Sequence, residues 1–141
     1  MITGTMKAAT LALVVPAAIA LPAIARADDG PFQSPSGNIS CTISSTLAAC
    51  DVSDHTYQVP QGPPCSQHLP WGDRFVLEQG KAAEMHCHGD TLRVPGARVL
   101  NYGQTISAGP ITCESQPSGM KCTDSSTGHY FQVSRDSYNL G

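Results

Sequence analysis

The chain has 141 residues, a net charge of −3 at pH 7 and six cysteines, which is enough length for one small domain. Nucleic-acid binding relies on clustered lysines and arginines that neutralise phosphates. Beyond the N-terminal segment the basic residues are isolated, so this class is disfavoured, and so is attraction to an anionic membrane surface. These residues are Arg74, Lys81, Arg93, Arg98, Lys121 and Arg135.

The first 27 residues have the pattern of a secretory signal peptide. Lys7 supplies the positive charge, and Leu11 to Ala25 is an apolar run interrupted only by prolines. Ala25-Arg26-Ala27 is the small-x-small sequence that a signal peptidase recognises, so cleavage is expected before Asp28. The apolar run is shorter than the roughly 20 residues of a membrane-spanning helix. We therefore predict a protein that is secreted or held in the cell envelope.

The predicted mature chain, residues 28–141, forms a single secreted β-rich domain without a transmembrane span. It retains all eleven acidic residues but only six basic ones, for a net charge of about −5. All six cysteines fall in this part. An even number of cysteines in a short exported chain indicates disulfides. Zinc ligation is disfavoured because no two cysteines have C-x-x-C spacing. The cysteines are Cys41, Cys50, Cys65, Cys87, Cys113 and Cys122.

Two segments share the same cysteine spacing: ISCTISSTLAAC at 39–50 and ITCESQPSGMKC at 111–122. In a hairpin with an even-numbered loop, such cysteines lie opposite each other and can be bridged. We therefore predict disulfides 41–50 and 113–122, which leaves 65–87 as the third. A bulge at Gly119 is the rival for the second hairpin and would put its two sulfurs on opposite faces.

The turns and the shared spacing carry further expectations. Pro117 and Gly119 suit a type I turn, whereas Ser45-Thr46 lacks glycine, so a four-residue type I loop is expected in both hairpins. The parallel extends loosely to Tyr57-Gln58-Val59 and Tyr130 to Val133. Two pseudo-repeated units are one interpretation, and chance similarity of two bridged hairpins is the other.

The remaining pattern is β-rich. Arg74 to Glu78 and Lys81 to His88 read as a hairpin, although Glu78 to Met85 could be a short helix. Ala97 to Leu100 and Gln104 to Ser107 read as another. The predicted fold class is all-β: a small disulfide-stapled antiparallel sandwich or barrel built from hairpins. The expected core is Phe32, Ile39, Val52, Phe75, Leu77, Met85, Leu100, Ile106, Ile111, Phe131 and Val133.

Candidate binding residues lie in the proline-rich segment 61–72, a stiff surface loop that contains His68 and Trp71. An exposed Trp71 would be a binding anchor, whereas a lone tryptophan in a small domain is more often buried.

A metal site is the next candidate. His86 and His88 would point to the same face of a strand, and with His68 or Asp90 they could hold Zn or Cu. Two solvent-facing polar residues beside a bridged Cys87 are the favoured alternative, because metal sites usually need a third placed ligand.

Catalysis has little support. No G-x-S-x-G motif is present, and Ser66-Gln67-His68 lacks an acidic partner identified by a motif. Asp54, in the cluster that follows the first hairpin, reads as a turn former. Arg135 is expected to form a structural salt bridge with Asp51, Asp124 or Asp136 rather than an anion site.

Several short motifs give the chain a family likeness. They are Phe32-x-Ser34-Pro35-Ser36-Gly37-Asn38-Ile39-x-Cys41, Cys87-x-x-Asp90-Thr91, Tyr102-Gly103, Gly119-Met120-x-Cys122 and Phe131-x-Val133-Ser134-Arg135-x-x-Tyr138. On these marks the chain resembles a family of small exported actinobacterial proteins that carry a domain of unknown function. The resemblance implies an exported, disulfide-containing domain and brings no reaction, ligand or site residue.

We therefore expect a binding or interaction module that recognises an unknown protein or cell-envelope ligand and needs no cofactor. The alternative is an envelope-acting hydrolase or metal-binding protein that uses His68, His86 and His88.

Overall fold

A computed structural model describes residues 4–5, 8–18, 28–62 and 65–141 of the chain, and these form a two-sheet β-sandwich. The all-β prediction is confirmed, as is the sandwich alternative. Residues 8–18 have no regular secondary structure and are exposed, whereas the expected cleavage sequence at 25–27 lies outside the described residues. No helix in the described ranges is long and apolar enough to cross a membrane.

The first sheet has six strands in the spatial order β5-β4-β3-β2-β1-β6. Strands β1 to β5 form an antiparallel meander, and β6 adds to β1 in parallel. The strands are β1 (Gly30–Gln33), β2 (Ile39–Ser44), β3 (Leu47–Val52), β4 (Arg74–Glu78), β5 (Glu84–His86) and β6 (Arg98–Val99).

The second sheet is a five-stranded antiparallel meander in the order β11-β10-β9-β8-β7. Its strands β8 and β9 alternate strictly between buried and more accessible positions, as expected when one face of a sheet covers a core. The strands are β7 (Thr105–Ala108), β8 (Ile111–Gln116), β9 (Gly119–Asp124), β10 (Tyr130–Val133) and β11 (Tyr138–Leu140).

The three disulfides join the pairs proposed from the spacing. Cys41 lies opposite Cys50 in the β2–β3 hairpin, and Cys113 lies opposite Cys122 in the β8–β9 hairpin. Their Cα atoms are 4.1 and 4.0 Å apart, the close approach of directly opposed residues. Both pairs are fully buried. The 65–87 disulfide instead lies near the surface, because Cys87 is exposed.

The core lies between the two sheets. Every expected core residue is buried except Met85, which is partly buried and packs against the core from β5. Phe75 and Phe131 are neighbours of the buried disulfides on β4 and β10, and their ring centroids are 6.3 Å apart across the interface. Two aromatic rings and two disulfides therefore occupy the centre of the sandwich.

The hairpin turns are shorter than expected. Ser44 pairs with Leu47 and Gln116 pairs with Gly119, so each loop has two residues and not four. The even register is nevertheless correct in both, and the bulge alternative at Gly119 is wrong. Neither Ser45 nor Thr46 has a positive φ, so the first turn is not of the primed type.

One predicted hairpin is wrong. Segments 97–100 and 104–107 do not pair with each other: β6 joins β1 of the first sheet, and β7 joins β8 of the second. The reason is that Leu100 is fully buried and its N–H donates to the Gln33 carbonyl at 2.9 Å, which holds this part of the chain against the first sheet. The connection that follows passes to the other sheet. The other hairpin is confirmed, since β4 pairs with β5 and no helix forms between them.

Both sheets contain a five-stranded meander with a disulfide between its second and third strands. The suggested match of residues 57–59 to 130–133 is wrong, because 57–59 lie outside the strands whereas Tyr130–Val133 is β10, the topological counterpart of β4. Common ancestry of the two units remains a hypothesis.

Candidate binding cleft

The predicted binding residues do not form a site together. His68 is exposed and has a φ of 57° at the end of a short 3-10 turn. Trp71 is half-buried: its indole Nε1 donates to the Pro60 carbonyl at 3.0 Å, and its ring packs on Gly62, where an added Cβ would lie 2.6 Å from a ring carbon. Trp71 is thus part of the internal packing of its loop, and its role as a binding anchor stays a prediction.

The predicted metal residues are both occupied by other partners. His86 Nε2 contacts Glu84 Oε2 at 3.2 Å. His88 Nδ1 and Nε2 lie 2.6 Å from the Asp90 carbonyl and 2.8 Å from Asp73 Oδ1. No group of three potential ligands is assembled within the described part of the chain. The arrangement therefore does not support the metal or hydrolase alternative.

The hydrogen bonds of His88 favour its protonated form. Its two partners are a carbonyl and a carboxylate, which only accept, so both ring nitrogens must donate. Burial lowers the pKa of His88, but the hydrogen bond with Asp73, the one with the Asp90 carbonyl and the Asp73 charge outweigh burial and raise it above its usual 6.5. The imidazolium thus links the start of β4 to the segment after β5.

We predict that His88 makes stability fall as the pH rises. Because the pKa is higher in the folded state, the contribution is fully present below the unfolded value of about 6.5 and is lost as the pH passes the folded pKa. The measurement is the free energy of unfolding from about pH 5.5 to about pH 9 for the wild type and His88→Gln. The wild-type excess should shrink with rising pH, and a constant difference would contradict the assignment.

A buried ion pair lies in the same region. Arg74 Nε and Nη2 donate to the two carboxylate oxygens of Asp51 at 2.7 and 2.8 Å, and Nη1 donates to Asp90 Oδ1 at 2.6 Å. The Leu92 N–H completes the shell of Asp51 at 2.9 Å. This cluster connects β3, β4 and the segment after β5, and the buried Asp51 carboxylate is fully engaged by Arg74 and Leu92.

The open site is a cleft of about 340 Å³ at one end of the sandwich, where β1, β3, β8 and β10 end. Four connections and the segment after β3 contribute to it, so it exists only when both sheets are in place. We call it the end cleft. Its lining residues are Ser34, Ser36, Asn38, Ile39, Asp54, Tyr102, Ser115, Gln116, Pro117, Gly119, Ser134 and Arg135.

Many polar groups of the end cleft are already used in holding its walls. Ser34 Oγ accepts from the Ile39 N–H at 3.1 Å, and Ser134 Oγ accepts from the Ser137 N–H at 3.1 Å. Asn38 uses both ends of its amide on the backbone of Asp54, at 2.8 and 2.9 Å. These groups form the frame of the cleft and are not available to a ligand without disruption.

Four other polar side chains of the end cleft have no such partners. Within the described ranges, no hydrogen bond or ion pair involves the Asp54 carboxylate, the Tyr102 hydroxyl, the Ser115 hydroxyl or the Arg135 guanidinium. Ser115 is only 1% exposed although it is polar, and Tyr102 is 53% exposed at the rim. We call these four residues the open polar set.

The backbone beneath the two charged members is fixed. Asn38 holds Asp54 through the two hydrogen bonds given above. The Thr56 N–H donates to the Arg135 carbonyl at 2.8 Å, and Thr56 Oγ1 donates to Asp136 Oδ1 at 2.9 Å. Gly119 forms part of the wall at a φ of 130°, where an added Cβ would overlap the Val133 carbonyl. A site with a rigid backbone loses little entropy when it binds a ligand.

The salt bridge expected for Arg135 is not found. Asp51 pairs with Arg74, and Asp136 accepts from Thr56. The third candidate, Asp124, is fully buried and accepts from the Gly80 N–H at 2.8 Å and from Ser126. The Gly80 and Ser126 hydrogen bonds lower the pKa of Asp124, so this carboxylate stays ionised without an arginine. The other interpretation of Arg135, as part of an anion-binding site, therefore stays a hypothesis.

Sequence reasoning missed the end cleft as a site. The sequence predicts a turn former at Asp54, and in the hairpin that contains Ser115 it points only to the cysteines and the turn. Tyr102 and Ser134 appear in the sequence only as motif residues, and Arg135 is predicted there to form a structural salt bridge. A signal was nevertheless present, because four separate motif segments that carry the family resemblance supply residues to this cleft. Spacing along the chain could not show that they meet.

These features define a disulfide-linked β-sandwich with an open polar cleft at one end. A family profile described as a family of unknown function, DUF6636, matches residues 12–140, and the chain belongs to that family. No curated protein and no solved structure matches the chain.

Proposed function

We propose that the protein is a secreted, non-catalytic binding module that holds a small polar ligand, or a polar group of a larger one, in the end cleft. The predicted signal peptide, the resemblance to exported actinobacterial proteins and the three disulfides support export, because disulfides of this kind are typical of extracellular proteins. The ligand would be encountered at or beyond the cell envelope.

The observation that carries the proposal is the open polar set. Three of its four members are exposed to solvent in the cleft, and none of the four side chains is engaged in a hydrogen bond within the described part of the chain. Four polar side chains without partners, in one cleft and on a fixed backbone, are what a preformed ligand site provides. The cleft contains no nucleophile held by a base, since Ser34 and Ser134 use their hydroxyls on the backbone and no histidine lines it. Binding rather than catalysis therefore fits this chemistry.

The test is a fragment screen read by ¹⁵N–¹H NMR on the disulfide-intact protein. The library should contain saccharides, amino acids, short peptides and simple anions. We expect hits to shift the amide signals of Gly37, Asp54, Gly103 and Arg135, which lie in or beside the end cleft. Hits that cluster around Trp71, or an absence of hits in the cleft across all ligand classes, would contradict the proposal.

A matched pair of variants makes the screen specific. Asp54→Asn, Arg135→Gln removes both charges of the cleft and should abolish the cleft hits. Arg93→Gln removes an exposed charge outside the cleft lining and should leave them unchanged. Equal loss in both variants would indicate a general charge effect and would count against the site.

A further inference from the structure

We propose that the ligand of the end cleft is a saccharide that carries a carboxylate, such as a uronic acid or a sugar with an acidic ether substituent. This inference rests on the proposed function and adds the ligand class to it. Each of the four members of the open polar set supplies one part of the argument.

Arg135 selects the carboxylate. Its guanidinium lines the cleft and forms no ion pair within the described part of the chain. A guanidinium binds a carboxylate through two parallel N–H donors, with better geometry than a lysine offers. Asp54 lines the same cleft but lies beyond ion-pair distance of Arg135, so the protein does not neutralise this positive charge itself. A ligand anion would do so.

Asp54 and Ser115 select hydroxyl groups. Asp54 is exposed in the cleft, where its carboxylate oxygens can accept hydrogen bonds from the hydroxyl groups of a ligand. Ser115 is almost completely buried beneath the cleft, and a serine hydroxyl both donates and accepts. A ligand with several neighbouring hydroxyls satisfies both residues at once.

Tyr102 and the size of the cleft select a ring. Tyr102 is 53% exposed at the rim and presents an aromatic face together with a hydroxyl. A volume of about 340 Å³ is at the small end of ligand sites, which run from about 300 to about 1,000 Å³. Apart from Tyr102, the apolar side chains of the lining are Pro117 and Ile39, and Ile39 is only 5% exposed, so an apolar peptide side chain finds little complementary surface. One hydroxylated ring with an acidic group fits better.

The test compares matched sugars by NMR titration: methyl β-D-glucuronide, methyl β-D-glucoside, glycine and acetate. They separate the carboxylated ring from the neutral ring, from a zwitterion and from a bare anion. We expect the glucuronide to bind at least about tenfold more tightly than each of the other three. A glucoside of equal affinity, preferential binding of glycine, or acetate as tight as the glucuronide would each overturn the assignment of ligand class.

Variants assign the roles. Arg135→Gln should remove the preference for glucuronide over glucoside, and Asp54→Asn should weaken both. Ser115→Ala should weaken glucuronide binding at least about threefold without lowering the melting temperature, because no internal hydrogen bond is lost. A melting temperature that falls together with affinity would show a structural role for Ser115 instead.

The two proposals fail differently. If the glucuronide does not bind but other fragments still shift the cleft amides in a charge-dependent way, the ligand class is wrong and the binding function stands. If no fragment of any class reaches the cleft, both are wrong.

Discussion

Replacing Arg74 with methionine is expected to lower the free energy of unfolding by about 3 to 5 kcal/mol, the usual effect of breaking a buried ion pair from one side. The side chains of Arg74 and Asp51 are only 10% and 8% exposed. Without the guanidinium, the Asp51 carboxylate stays buried with the Leu92 N–H as its remaining partner. Urea unfolding measures the effect as a lower midpoint with an unchanged m-value.

Two further variants test the reason for this loss. Lys81→Met removes the positive partner of the exposed Glu78 pair and should leave the urea midpoint close to that of the wild type. Asp51→Leu, Arg74→Met removes both buried charges and should recover most of the stability that Arg74→Met loses. A loss below about 1 kcal/mol in Arg74→Met, or no recovery in the double variant, would mean that charge burial is not what makes Arg74 necessary.

Removing the 41–50 disulfide by Cys41→Ala, Cys50→Ala is expected to destabilise the fold by about 4 to 5 kcal/mol. The closed loop of ten residues contributes about 2.7 kcal/mol in the chain-entropy treatment. Both cysteines are fully buried in the core, so the two lost sulfurs leave cavities of about 1 kcal/mol each. The measurement is the same urea titration under non-reducing conditions.

The 65–87 disulfide is the control for this prediction. Its loop is longer, so chain entropy alone would make it more stabilising, at about 3.4 kcal/mol. Cys87 is exposed, however, and its removal leaves no core cavity. We therefore expect Cys65→Ala, Cys87→Ala to cost less than the 41–50 variant. The reverse order would show that loop entropy outweighs core packing in this domain.

The parts of the fold that depend on neighbouring residues could be predicted from the sequence. The pairs 41–50 and 113–122 follow from a spacing of nine within a hairpin, because the geometry of two adjacent strands is set locally. Core positions such as Ile111, Phe131 and Val133 follow from alternation along single strands. The two-residue loops of the two disulfide-linked hairpins could not be predicted. Two-residue hairpin loops usually have central residues with a positive φ, and these loops do not.

Interactions between distant segments were beyond such reasoning. The sequence suggests Asp51 as a salt-bridge partner of Arg135. In the structure Asp51 pairs with Arg74, because the β3–β4 register places Arg74 directly opposite it. Because Asp51 is already paired, the Arg135 guanidinium has no salt bridge with it and lines the end cleft. The sequence shows which residues are charged, but the salt-bridge partner of each one depends on strand order and register.

The sequence by itself determined that the protein is all-β, which of its cysteines pair, and which side chains enter the core. The fold class and the core follow from short-range periodicity, two disulfides follow from cysteine spacing, and the third is the pair that remains. Only the tertiary structure decided that the chain crosses to the second sheet after Leu100 and that the ends of the two sheets enclose a cleft. The physical reason is that Asp54, Tyr102, Ser115 and Arg135 are separated by many residues along the chain. They share a site because two meanders pack face to face around one core.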